Sequence, residues 1–341
     1  MRASRSVLAL CLWGCTTAPA PAVSPRDQAL LGVKTYIDTA LADLETAATA
    51  LCAAAPAADA DGWNAKADAA AVNAMKAQWK LARSAYERVE GAIAVLFPDL
   101  DFASDQRYEG FLAQTADDDL FDGDGVTGIH AIERILWSDQ IAPTVLAFET
   151  ALPGYVTATF PENLTQATEF KTKLCARLVT DVKAIRSQFA PLALDPAAAY
   201  RGVIGSMMEQ IEKVEKVASG EEESRYAQYT LADMRTNVQA GVATYQFFQP
   251  WLLAQTGGAA ADQAIAAGFA RILAAYAKIP GDAVPAVPPT WSSEMPSMAD
   301  LQSAFGQLWQ VLRHEADPKV PDSLVAAMNH SADLLAIPKL P

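Results

Sequence analysis

Apolar residues recur at three- and four-residue spacing along nearly the whole chain, the period of helices that each bury one face. The pattern predicts helices near 27–54, 64–97, 127–149, 161–190, 196–218, 229–254, 259–278, 298–315 and 321–335. Breakers separate them: Pro98, the Asp/Gly run at 117–125, Pro153, Pro161, Pro191, Pro196, Gly220, Gly257-Gly258 and a proline-rich stretch over 280–296. No window alternates as a half-buried strand does, and no apolar run after residue 25 is long enough to span a bilayer. The expected fold is all-α: two antiparallel four-helix bundles packed side by side with a cleft between them. Residues 27–192 form the first bundle and 193–341 the second.

The first residues depart from this pattern. Arg2 and Arg5 precede a short apolar stretch that ends in Leu12-Trp13-Gly14-Cys15, which reads as a secretion signal over 1–14. Its ending resembles a bacterial lipobox, at which Cys15 becomes lipid-modified and the new first residue. The alternative is a plain secreted protein with a coincidental cysteine. The following TTAPAPAVSPRD reads as a Pro-rich tether, so 15–26 is assigned to a spacer between membrane and domain. Thr16, rather than Asp, follows the cysteine, which by analogy with lipoprotein sorting points to the periplasmic side of the outer membrane.

Charge narrows the partners. The chain carries 26 Lys+Arg against 40 Asp+Glu, a net charge of −14. Such a surface repels nucleic acid and anionic lipid, so no nucleic acid is expected and membrane contact is limited to the lipid anchor. It suits a protein that meets cations. Once Cys11 leaves with the signal, Cys52 and Cys175 remain in the body of the chain, either as one disulfide or as two buried free thiols.

The chain has three histidines, and one lies in GVTGIHAIERILW at 125–137. Asp124 or Thr127 can cap a helix here, which places His130 in its first turns. Glu133 follows three residues later, on the neighbouring turn of the same face. Imidazole and carboxylate so placed make a two-tooth clamp for a metal ion; the bland reading is a surface histidine beside a glutamate.

The preceding helix, WKLARSAYERVEGAIAVLF, carries Trp79, Arg83, Tyr86, Glu90, Ile93 and Phe97 along one stripe, with Glu87 at its edge. Arg83 and Glu90 are therefore expected among buried apolar residues, where charges must be paired or bound to an ion. Either Arg83 pairs with Glu87 or Glu90 for structure alone, or Glu87 and Glu90 face His130 and Glu133 across the bundle. Asp101 and Asp105 are further oxygen donors from the connecting loop.

Other acidic stretches are weaker. DDDLFDGDG at 117–125 looks like a calcium loop, but the register that places Asp122, Asp124 and Gly125 puts Leu120 at its first position and Ala131 at its last. It is read as a solvated turn. Glu209 and Glu212 either line a site or belong to a solvated face with the surrounding lysines. Glu215 falls in an apolar arc and needs a partner, Lys213 or Arg225. His314 and His330 have no clear companions.

The combination W-x(3)-R-x(2)-Y-E-x(2)-E at 79–90, then G-x-H-x-x-E at 128–133 followed by Trp137, resembles the imelysin-like family. That family includes periplasmic lipoproteins associated with bacterial iron uptake. ESRYAQYTLADMRTN at 223–237 resembles its C-terminal half, with Leu231, Asp233 and Asn237 matching, so the resemblance covers about 30 to 335. It implies a two-bundle helical fold with a site in the cleft. His130 and Glu133 match the signature pair, Glu87 and Glu90 the glutamates of the iron-uptake branch, and Asp105 a loop aspartate. Glu212 is taken as the second-half site glutamate, although the spacing before Gly220 does not align cleanly. Arg83, Tyr86 and Gly128 are expected to support the site.

These donors are mostly hard oxygens with one imidazole, which favours iron and leaves zinc and calcium as alternatives. The resemblance implies a cell-envelope lipoprotein that binds metal for iron uptake, with an envelope transport partner. The runner-up is a metallopeptidase, since the family takes its name from a proteolytic activity. Zincin chemistry requires H-E-x-x-H, which this sequence lacks, so Glu133 or Glu90 would have to act as the base. A third reading is a cleft-based binding module with a structural metal.

Overall fold

The computed structural model of the chain describes residues 23–64 and 66–340. Cys15, the signal assigned to 1–14 and most of the tether lie outside the described residues. Among those described there is no strand, and no helix is long and apolar enough to cross a membrane.

Helix α1 (Pro25–Ala53) is opened by Ser24, whose hydroxyl accepts from the Asp27 amide. The chain returns along it as α2 (Ala69–Glu87). Short helices follow: α3 (Glu90–Leu96), α4 (Pro98–Asp105), α5 (Tyr108–Leu112), α6 (Gly128–Leu136) and α7 (Pro143–Glu149). Then α8 (Leu164–Glu169) runs through a π-helical turn at Phe170–Leu174 into α9 (Cys175–Phe189). The second half is built from α10 (Pro196–Val217), α11 (Thr230–Leu253) and α12 (Gly258–Ala277), followed by α13 (Met298–Gln302), α14 (Ala304–Ala316) and α15 (Leu324–Leu334).

Helix α1 packs against α2, α9 and α11; α10 packs against α3, α11, α14 and α15. Helix α11 thus touches α1 and α2 on one side and α10 and α12 on the other. The buried apolar residues form one continuous cluster from Ala29 to Ile337, with no gap between the halves. Cys52 and Cys175 are joined in a disulfide, Cα to Cα 5.6 Å, which fastens the end of α1 to the start of α9.

Two departures from the expected helices shape the site. The helix predicted over 64–97 ends at Glu87 and restarts, out of line, as α3. The break lets α3 lie directly on α10. A Cβ on Gly91 would come within 2.9 Å of the Gly202 carbonyl oxygen, and one on Gly202 within 2.3 Å of that of Gly91. Only paired glycines permit this approach.

The helix predicted over 127–149 is also divided. It runs as α6, a short 3₁₀ turn, and α7, which begins at Pro143, where the missing amide costs no helical bond. Thr127 occupies the N-cap position of α6, but its hydroxyl donates to the Ala103 carbonyl at 3.2 Å. Gly128 has φ +86°, and a Cβ there would sit 2.6 Å from the Ser104 carbonyl oxygen. The start of α6 is thereby pressed against the end of α4. That contact brings His130 beside Asp105.

Candidate metal centre

Buried charge converges from five elements and one turn. Helix α2 supplies Arg83 and Glu87, α3 Glu90, the end of α4 Asp105, α6 His130 and Glu133, α10 Lys213, and the turn before α11 Glu223. The fully buried Arg83 guanidinium binds Glu87 and Asp105, lies 2.6 Å from Glu223, and has Asp233 at 3.4 Å. The Lys213 ammonium lies 2.7 Å from Glu223, 2.9 Å from Glu90 and 3.5 Å from Glu87. Asn237 donates to Glu90 at 2.6 Å.

Five carboxylates therefore share two cationic heads, and water is largely excluded. An imbalance of this kind is costly unless protons or another cation make it up. Burial pushes Glu90 and Asp105 well above the usual carboxylate range, and raises Asp233 to about 7. Burial acts on Glu223 in the same sense, but Lys213 and Arg83 overcome it and hold that carboxylate well below its ordinary value.

His130 is held separately. Its Nδ1 lies 2.7 Å from one oxygen of Glu133; the other oxygen accepts the amides of Tyr226 at 3.0 Å and Ala227 at 2.8 Å. Burial raises the pKa of Glu133 while the Ala227 amide opposes it; with Glu133 ionised, Nδ1–H donates to this carboxylate and the lone pair lies on Nε2. That Nε2 is buried without a hydrogen-bond partner and lies 3.6 Å from Asp105. Burial, then the charge of Arg83, pulls the imidazole well below its ordinary pKa, so it stands neutral.

Two groups of donors result. Asp105, His130 and Glu223 each offer an atom within 4.8 Å of the others, and so do Glu87, Glu90 and Glu223. A cleft of about 200 Å³ reaches Asp105, Glu90 and Glu223 of these groups, with Arg107, Glu209 and Lys213 also on its walls; His130 and Glu87 lie behind them. The donor set fits a hard or borderline cation: oxygen donors, one neutral imidazole and an orphaned nitrogen facing a carboxylate.

The imelysin family model (peptidase M75) matches residues 33–310, a span that contains every residue of this cluster. The chain belongs to the imelysin family. It is also similar to the iron uptake system component EfeM of Bacillus subtilis (strain 168), 30% identical over 172 residues, which is 50% of this chain and 34% of that protein. The chain thus spans about a third of that relative's length.

In this imelysin-family chain the residues singled out in the sequence take distinct places. Asp105 and His130 fall in one donor group and Glu87 and Glu90 in the other, with Glu223 common to both. Glu133 adjoins them, but both of its oxygens are engaged in fixing His130 and the turn at 226–227. Glu212 is not in either group; it is 58% exposed and pairs with Lys216 on the cleft rim. The second-half glutamate in the cluster is Glu223.

Supporting roles also resolve. Arg83 bonds to Glu87, as the structural reading had it, but also to Asp105 and Glu223, with Asp233 close by at 3.4 Å. Tyr86 donates to Asp101, which leaves Asp101 outside both groups. Trp79 Nε1 donates to the Ile129 carbonyl at 2.8 Å and pins α6 to α2.

Elsewhere the pairings differ from expectation. Glu215 accepts from Trp309 Nε1 at 3.0 Å, while Arg225 bonds to Glu109 at 2.7 Å. His314 has companions after all, Glu315 at 2.9 Å and Asp322 at 3.3 Å. In the acidic run, Asp119 and Asp122 accept amides of their own turn, but Asp117 is buried rather than solvated.

Glu223 and Lys213 were the residues that sequence reasoning missed. Glu223 sits in an irregular turn with no period to mark its inward side. Lys213 lies on the α10 face that reads as solvated, and α3 covers that face only because Gly91 and Gly202 meet.

Proposed function

We propose that this imelysin-family chain is a cell-envelope lipoprotein that binds a metal ion, iron first, through Asp105, His130 and Glu223, and serves iron uptake. The observation that carries the reading is the orphaned Nε2 of His130, buried and 3.6 Å from Asp105 while Glu133 holds the opposite nitrogen. A metal-binding imidazole is commonly oriented in this way by a carboxylate on its other nitrogen. Arg83 positions Asp105 and Glu223, and Glu133 positions His130. The iron-uptake name of the Bacillus relative supports iron as the cargo; zinc and calcium are the alternatives.

The same proposal places the chain on the periplasmic side of the outer membrane, anchored through Cys15, with an envelope transport partner that receives the ion. It includes the two-bundle arrangement, 27–192 and 193–341, with the site between them. The cleft walls, drawn from Glu90, Asp105 and Arg107 on one side and Glu209, Lys213 and Glu223 on the other, support that division.

The peptidase reading has less support. Glu133 already accepts three hydrogen bonds, and Glu90 is held by Lys213 and Asn237, so neither candidate is free to take a proton from water. The test is anaerobic titration of metal-stripped protein with Fe²⁺ by calorimetry. His130→Ala is expected to weaken binding by about 100-fold. Equal affinity in the variant removes the assignment.

A further inference from the structure

The stretch between α10 and α11 serves the candidate centre twice. Its Glu223 offers an oxygen within 4.8 Å of the donor atoms of Asp105 and His130. Its Tyr226 and Ala227 amides donate to one oxygen of Glu133, at 3.0 and 2.8 Å, and Glu133 in turn holds His130. One donor and the support of a second thus hang on residues 223–227, where no helical ladder fixes the backbone.

Gln228 closes this stretch. Its φ is +51°, a left-handed backbone that strains glutamine and that glycine adopts freely. The side chain does what a glycine could not. Its Nε2 donates to Glu222 Oε1 at 2.9 Å and to the Arg225 carbonyl at 2.7 Å, so it ties both flanks of Glu223 and Ser224. The Ser224 carbonyl accepts the Tyr229 amide at 3.0 Å, and the Ser224 amide donates to the Thr230 hydroxyl at 3.2 Å. The strained residue therefore lies inside a closed set of bonds. Strain of this kind persists where the surroundings over-determine the backbone, and it gathers at binding sites.

We propose that Gln228 is a positioning residue for the ion site. Its left-handed backbone turns the Tyr226 and Ala227 amides onto Glu133, and its side-chain amide fixes the turn from which Glu223 reaches Asp105 and His130. This rests on the proposed function. Gln228 bonds to none of the three donors, so it acts through the turn alone. Without its amide the turn relaxes, and His130 loses its fixed orientation together with the placing of Glu223.

The experiment compares the full chain with Gln228→Gly and Gln228→Glu. Glycine removes the strain and the amide together; glutamate keeps the length but has no hydrogen to give Glu222 or the Arg225 carbonyl. Both are expected to bind Fe²⁺ about 10-fold more weakly in anaerobic calorimetry, at a temperature where circular dichroism shows them folded. The second readout needs no metal. Labelling histidine with ¹⁵N gives resonances from three residues, and His130→Ala identifies those of His130. Wild type is expected to carry the His130 proton on Nδ1. In both variants these resonances are expected to move toward a mixture of tautomers, while those of His314 and His330 stay.

Unchanged His130 resonances in both variants, or wild-type affinity in both, overturn the proposal. So does a Gln228→Gly chain that fails to fold, because the lost bonds would then serve the fold as a whole. If wild type itself binds no Fe²⁺, the proposed function fails, and the histidine resonances alone decide whether Gln228 positions His130.

Discussion

At the scale of single residues, the centre depends on which nitrogen and which oxygens are left free. His130 and Glu133 were legible because three-residue spacing on a helix fixes their relation before any tertiary contact is known. Their division of labour was not, since the amides that engage Glu133 come from the turn at 226–227, far along the chain. Glu133→Gln retains shape but cannot accept from His130 and both amides as a carboxylate does. It is expected to weaken Fe²⁺ binding by about 10- to 100-fold while the fold persists, measured by the same calorimetry.

Asp117 offers a test independent of metal. Burial, with Asp122 adding, raises its pKa from 3.8 to about 6. A carboxyl raised in the fold contributes stability that is complete below its unfolded pKa and is lost as pH rises through the folded one. Urea melts of Asp117→Asn are therefore expected to show a gain over wild type at pH 7.5 that disappears below pH 4. An equal difference at both pH values would contradict this.

At the scale of elements, the long amphipathic helices could be read from period alone, but the breaks among them could not. The interruption between α2 and α3 has no proline or glycine at Arg88 or Val89; it reflects a crossing with α10 that only Gly91 and Gly202 allow. Likewise α4 and α5 arise in a segment expected to be loop. Gly128 links this scale to the site. Gly128→Ala forces a side chain into left-handed backbone and against the Ser104 carbonyl, and is expected to cost about 2 kcal/mol or more. Because His130 is two residues on, the variant should also lose Fe²⁺ affinity at temperatures where its circular dichroism is still native.

At the scale of the molecule, the all-helical class followed from the sequence, whereas the path of burial did not: one core passes through both halves. The Cys52–Cys175 bond spans 123 residues, and such a long closed loop restricts the unfolded chain strongly. Replacing both cysteines by alanine is expected to lower stability by about 2–5 kcal/mol in denaturant melts, with dithiothreitol affecting wild type alone.

Helix α11 has the widest consequence. It packs on α1, α2, α10 and α12 at once, and from it Asp233 reaches Arg83 while Asn237 reaches Glu90. A clamshell opening would have to tear this strut from one of its two sets of neighbours. On the proposed function, loading and unloading then fall to the rotation of individual side chains at the mouth, and the release rate is expected to follow the mobility of a few charged groups rather than any hinge.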